Sequence, residues 1–204
     1  MATLITDPGL EEQLKAQRRE WGGDRYDEVW DGVYLMSPIA NVEHQLFVGR
    51  IYLALHSVVM VHKLGVAYPG LNVTDREDDW RQNYRCPDVV VLLKDSAAKL
   101  CDAYVLGGPD FAVEVMSPGD RSRQKLQFYS KVGLRELLLV DRQPWALELY
   151  KLDAGQLLLS GRCTLESPLE LQSDLIPLNF RLIRGDSRPQ LEIVERDRQQ
   201  RWEI

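Results

Sequence analysis

The sequence predicts a mixed α/β (α+β) fold: a central mixed β-sheet flanked by helices, with an N-terminal hairpin and additional C-terminal antiparallel strands. Three observations predict it. Residues 88–93 (DVVVLL), 110–116 (DFAVEVM) and 136–141 (ELLLVD) are apolar runs with charged ends, as in strands buried on both faces. Residues 41–63 carry Leu46, Phe47, Ile51, Ala54, Leu55, Val58 and Val59 close to an i, i+3, i+4 stripe. Asp31-Gly32 and Asp153-Ala154-Gly155 each sit between two strand-like runs, as hairpin turns do.

The elements follow in order. Residues 1–25 form a polar extension in which 11–20 suit a short exposed helix ended by Trp21-Gly22-Gly23. The hairpin spans 26–36, and Ser37-Pro38 stops its second strand. Asn41 is a plausible N-cap for the long helix and Gly65 its stop. Residues 66–73 read as one strand and 75–85 (DREDDWRQNYR) as a charged loop. Residues 122–132 suit a helix between the second and third apolar runs, with Gly133 after its end. Residues 145–152 and 156–160 suit an antiparallel pair. The main domain is placed at 26–186, and 187–204 is a polar tail with a short strand at 191–194 and a frayed end.

The chain of 204 residues is long enough for a core without disulfides or a structural metal. Its 25 Lys and Arg against 31 Asp and Glu give a net charge of −6. That balance excludes a basic nucleic-acid coat protein and a polybasic membrane-surface protein, but not a local basic patch or a carboxylate metal site. Three widely spaced cysteines with no CxxC pair argue against a disulfide framework and a cysteine-ligated zinc. No signal peptide is visible, and the longest apolar stretch, near residues 58–61, is too short to span a bilayer. A cytoplasmic setting without a membrane is expected. The absence of HExxH, GxSxG, P-loop and GxGxxG motifs speaks against zincin, serine-hydrolase, NTPase and dinucleotide enzymes, so no nucleotide cofactor is expected.

Two carboxylates stand inside apolar runs. Asp88 opens DVVVLL after Pro87, and Glu114 lies within FAVEV on one face with Ala112 and Met116. A carboxylate in a buried strand is costly unless paired, protonated or metal-bound. Asp88 also suits the solvent edge of its strand, and Glu114 a structural ion pair. Arg121, Lys125 and Tyr129 follow at helical spacing as one polar stripe, which by itself equally suits a solvated helix face.

Pro-Asp opening one strand, Glu in the next and a nearby Lys resemble the PD-(D/E)XK nuclease superfamily. The chain is more closely similar to a bacterial family of restriction-endonuclease-like proteins. The residues carrying the resemblance are WDGVYLMSP followed by His44, CPDVVVLL, FAVEVMSPGDR, then Lys125, Tyr129 and Gly133 before RELLLVD. It covers about residues 26–182 and implies a restriction-endonuclease-like sheet. It also implies that Asp88 and Glu114 hold Mg²⁺, with Mn²⁺ a possible substitute, while Lys125 assists hydrolysis of DNA phosphodiesters. Hard cations take oxygen ligands, usually one or two carboxylates plus water for Mg²⁺, and the Val115 carbonyl is a further candidate. Two departures stand out. Met116 occupies the usual lysine position, for which the resemblance implies a lysine from the following helix, Lys125, and Val33 stands where the resembling family often has an acidic residue after the hairpin glycine.

Glu43, His44 and Tyr129 are candidates to touch the metal ligands from behind. Arg121, Arg123 and Lys131, with Lys125 and Arg135, form a basic strip that could meet phosphates. Three readings follow. The first is a Mg²⁺-dependent endonuclease acting on DNA, suited to a homodimer because two strands need two cuts. The second is a non-catalytic nucleic-acid-binding or protein-interaction module, suggested by Met116 and the net acidity. The third is a structural homodimer pairing through an edge strand at 145–150.

Overall fold

Hydrophobic runs, turn residues and one long apolar stripe build three sheets and three α-helices in the computed structural model, which describes residues 8–38, 40–117, 119, 121–197 and 200–204. Residues 1–7 of the expected extension, Pro118 and Asp120 of the FAVEVMSPGDR segment, and residues 198–199 of the expected tail lie outside the described residues.

Helix α1 (Pro8–Glu20) leads into the hairpin of β1 (Glu28–Trp30) and β2 (Val33–Leu35). Asp31 and Gly32 both have positive φ, 48° and 85°, the backbone of a two-residue hairpin turn. Arg18 ties the helix to the hairpin through two bonds of 2.6 Å to Asp27.

Helix α2 (Val42–Val61) buries Phe47, Ile51, Ala54, Leu55, Val58 and Val59 of the expected stripe, while Leu46, expected with them, is exposed. The Asn41 side chain caps it by accepting from the His44 amide at 2.8 Å. Two expectations fail here. The helix ends at His62 rather than Gly65, which opens β3 (Gly65–Pro69). A Cβ on Gly65 would fall 2.0 Å from the Leu92 carbonyl oxygen, so glycine serves a close strand approach. By length and composition α2 is also long and apolar enough to cross a membrane. Its apolar residues are interrupted by polar ones and so form no unbroken run, and the six buried side chains make α2 part of the protein core.

The expected single strand at 66–73 divides at Gly70, whose φ is 57°, into β3 and β4 (Asn72–Thr74), which join different sheets. The charged stretch holds a 3-10 turn at Trp80–Gln82 and the short β5 (Tyr84–Arg85). Strand β6 (Val89–Leu93) follows, then β7 (Lys99–Leu100), β8 (Tyr104–Leu106) and β9 (Phe111–Val115). A 3-10 turn at Ser122–Lys125 runs into α3 (Leu126–Val132), closed by Gly133 at φ 85°. Next come β10 (Glu136–Arg142), β11 (Trp145–Asp153) and β12 (Gln156–Cys163). The last strands are β13 (Leu171–Gln172), β14 (Leu178–Ile183), β15 (Gln190–Glu195) and β16 (Arg201–Glu203).

The central sheet has the order β12-β11-β10-β9-β6-β3. It is mixed because β9 and β10 are parallel, with α3 supplying the crossover. One face carries Val89, Val91, Phe111, Val113 and Val140 against α2, and the other carries Val90, Ala112, Leu137 and Leu139 against Phe128 and Tyr129 of α3. The second sheet, β2-β1-β5-β4-β8-β7, brings the hairpin beside β5, directly before Asp88. The third sheet, β13-β14-β15-β16, adds Phe180, Leu191, Ile193 and Ile204 to the core on the α2 side. The segment after 187 is therefore two paired strands around residues 198–199. The expected strand at 191–194 lies within β15, and β16 pairs with it where a frayed end was expected. The expected edge strand at 145–150 is internal, since β11 lies between β10 and β12.

Candidate active site

Asp88 and Glu114 meet because of strand register. Val89 pairs with Val113 across the antiparallel β6 and β9, so one step outward Asp88 lies opposite Glu114. The Val115 amide donates to Asp88 Oδ2 at 2.7 Å, and Asp88 Oδ1 lies 3.2 Å from His44 Nε2. Glu114 shares its face with Ala112, toward α3, and is 4% exposed.

Lys125 reaches that carboxylate from the turn of 3-10 helix before α3. Its Nζ donates to both Glu114 oxygens, at 2.9 and 3.0 Å. The Tyr129 hydroxyl donates to Glu114 Oε1 at 2.5 Å and the Ser122 hydroxyl to Oε2 at 3.3 Å. Burial, with the carboxylates of Glu114 and Glu28, holds the Tyr129 phenol well above its ordinary range, so it remains a neutral donor.

A third carboxylate joins them that the sequence reading did not single out. Glu28, on β1, places Oε1 at 2.8 Å from Lys125 Nζ and accepts from the Cys86 amide at 2.9 Å and Trp30 Nε1 at 2.7 Å. The signal was present: Glu28 is an acid within an otherwise apolar strand triplet, EVW, the same pattern that marked Glu114. Arg85 lies buried between the rings of Trp30 and Phe128, at 4.5 and 4.2 Å, and burial lowers its pKa.

Glu28, Asp88, Glu114, Lys125 and His44 all line one cavity of about 320 Å³. Three carboxyl groups face one ammonium there, an excess of acid suited to a divalent cation. Among the described residues no set of three or more His, Cys, Asp and Glu is gathered closely enough to form a ligand cluster. Mg²⁺ does not need one, since one or two carboxylates with water and substrate oxygens suffice. The carboxylate and carbonyl oxygens of Asp88, Glu114 and Val115 fit such a hard cation.

The remaining candidates separate. Glu43 turns from this cavity and pairs with Arg142 at 3.2 Å. Ser117 connects the two regions, with its hydroxyl 3.5 Å from His44 Nδ1. Met116 is buried without lining the carboxylate cavity. The basic strip is largely committed internally. Arg123 pairs with Glu148 at 3.0 Å and Asp141 at 3.1 Å, and Lys131 with Asp75 at 2.7 Å, while Arg121 is exposed.

A family model described as Uma2, putative restriction endonuclease, matches residues 11–183. No curated protein matches the chain. A crystal structure of a putative nuclease belonging to DUF820 from Anabaena variabilis ATCC 29413 is similar over 65% of this chain and 75% of that one, with a TM-score of 0.53 and 17% identity. At that identity the likeness speaks for a restriction-endonuclease-like fold.

Proposed function

Because the chain belongs to the Uma2 family of putative restriction endonucleases, we propose that it is a Mg²⁺-dependent endonuclease that hydrolyses DNA phosphodiester bonds. The observation that carries the reading is the delivery of Lys125 onto Glu114 from outside β9, which supplies the lysine that Met116 cannot. Asp88 and Glu114 would hold the cation, with Mn²⁺ as a possible substitute. The cation would polarise the scissile phosphate and make a bound water acidic. Lys125 would orient the attacking water and offset charge on the phosphate. The Val115 amide and His44 fix the Asp88 carboxylate, and Tyr129 fixes that of Glu114.

The test is plasmid cleavage with Mg²⁺ or Mn²⁺, alongside circular dichroism. Asp88→Asn and Glu114→Gln should abolish cleavage, and Lys125→Met should reduce it by at least ~100-fold. Failure of the wild type to cut any duplex or single-stranded substrate with either metal would sink the proposal. A homodimer is the natural arrangement for double-strand cutting, and equilibrium sedimentation tests it.

A further inference from the structure

A second cavity, of about 510 Å³, adjoins the carboxylate site and shares Asn41 and Ser117 with it. Its lining differs: Arg142 and Arg188 meet Glu43 there, and Arg123 is paired with Asp141, which also lines it. Arg142, at the end of β10, is 8% exposed. It donates to the Met116 carbonyl at 3.3 Å, the Ser117 hydroxyl at 3.3 Å and Glu43 Oε2 at 3.2 Å. Arg188, just before β15, stands 5.2 and 5.6 Å over the rings of Trp145 and Phe47 and places Nε at 3.1 Å from Glu43 Oε1.

One carboxylate thus bridges two guanidinium groups, and it is half exposed, in the first turn of α2. Two arginines on one acid leave an excess positive charge, and guanidinium pairs suit the paired oxygens of a phosphate. The N-terminus of α2 adds to that preference. The cavity also communicates with the proposed metal site. Arg142 donates to Ser117, Ser117 neighbours His44, and His44 neighbours Asp88.

We propose that this cavity is a subsite for a backbone phosphate of the bound strand, next to the phosphate being cut, and that Glu43 is an internal stand-in which the phosphate displaces. The inference rests on the nuclease reading for the identity of the strand. Arg142 and Arg188 bind and position; they take no part in bond breaking.

The test is anisotropy of a short fluorescein-labelled DNA duplex, with all variants built on Asp88→Asn to prevent cleavage. Glu43→Gln removes the competing charge and should tighten binding about tenfold, a gain that misfolding cannot imitate. Arg188→Gln should weaken binding about tenfold and lower the slope of log affinity against log salt by about one. Arg142→Met should act alike, with thermal unfolding recorded because the side chain is buried. Tightening in Glu43→Gln without any cleavage by the wild type would support the subsite and refute the nuclease reading. Unchanged or weaker binding in Glu43→Gln, or an Arg188→Gln protein equal to its parent, would overturn the subsite and leave the nuclease reading standing. No binding by either parent or Glu43→Gln, on duplex or single strand, would overturn the subsite as well.

Discussion

Replacing Lys125 with Met tests whether the buried cluster is held together by one ammonium. Its Nζ lies 2.8 Å from Glu28 and 2.9 and 3.0 Å from the two oxygens of Glu114. Since the nearest carboxylate oxygens on either side flank the same nitrogen, they are at most about 6 Å apart. Two unit charges at that spacing repel by about 3 kcal/mol at an effective dielectric constant of ~20. Both carboxylates would also keep their burial cost with their shared partner gone, and breaking a buried pair typically costs about 3–5 kcal/mol. For a chain of this size that corresponds to a fall of roughly 10 °C in the unfolding midpoint. Scanning calorimetry at neutral pH measures it. Added Mg²⁺ should raise the midpoint of Lys125→Met more than that of the wild type, because a cation relieves the repulsion only where the ammonium is missing. A loss below about 1 kcal/mol would refute the reasoning, because the lysine would then not be neutralising two buried acids. No rise with Mg²⁺ in either protein would refute the link between this cluster and a cation.

Tyr129→Phe removes the 2.5 Å bond to Glu114 and should cost about 1.5–3 kcal/mol in urea unfolding, with the fold retained. Burial alone would raise the Asp75 carboxyl, yet hydrogen bonds from Lys131, Arg76 and Asn83 outweigh it and hold the group at about 2. A depressed folded pKa contributes stability above the unfolded value near 3.9, and that stability is lost as pH falls toward about 2. The exposed partners screen the effect to roughly 1 kcal/mol, and Asp75→Asn should flatten that part of the acid-denaturation profile. Gly65→Ala should destabilise by about 3 kcal/mol, because its methyl would meet the Leu92 carbonyl at 2.0 Å and force β3 away from β6; an unchanged urea midpoint would contradict that approach.

The central strands were legible because their neighbours left no other explanation for continuous apolar runs. Residues 89–93, 111–115 and 136–142 bury nearly every side chain on two faces, one against α2 and one against α3. The division into three sheets was not legible. Strands β3 and β4 form a single apolar stretch in sequence, and only the positive φ at Gly70 separates them. The alternation at 191–194 marked β15, but the three-residue β16 is flanked by charge, so nothing local placed Ile204 in the core until the third sheet closed over it. Periodicity reports a face to be buried, and it does not report which sheet will bury it.

The carboxylate cavity shows the same limit at atomic scale. Asp88 and Glu114 were readable as carboxylates in apolar runs and Lys125 only through the family resemblance, and the structure brings all three to one cavity with Glu28. The partners of the basic strip were not readable, because charge along a helix says nothing of the acids on other strands, and Glu148, Asp141 and Asp75 pair with Arg123 and Lys131. Arg142 and Arg188 are far apart in sequence, and Glu43 and Trp145 bring them to one cavity. The displaced lysine follows from the same geometry. Residue 116 lies beyond the end of β9, and its carbonyl is engaged by Arg142, so that position belongs to the arginine cavity. A lysine there would bring another cation to the edge of a guanidinium cluster. Lys125, arriving from the α3 side, instead meets Glu28 and Glu114 together, which ties the hairpin, the central sheet and the helix through one nitrogen. Moving the lysine onto the helix therefore separates the acidic half of the site from the basic half, and Met116 stands at the boundary between them.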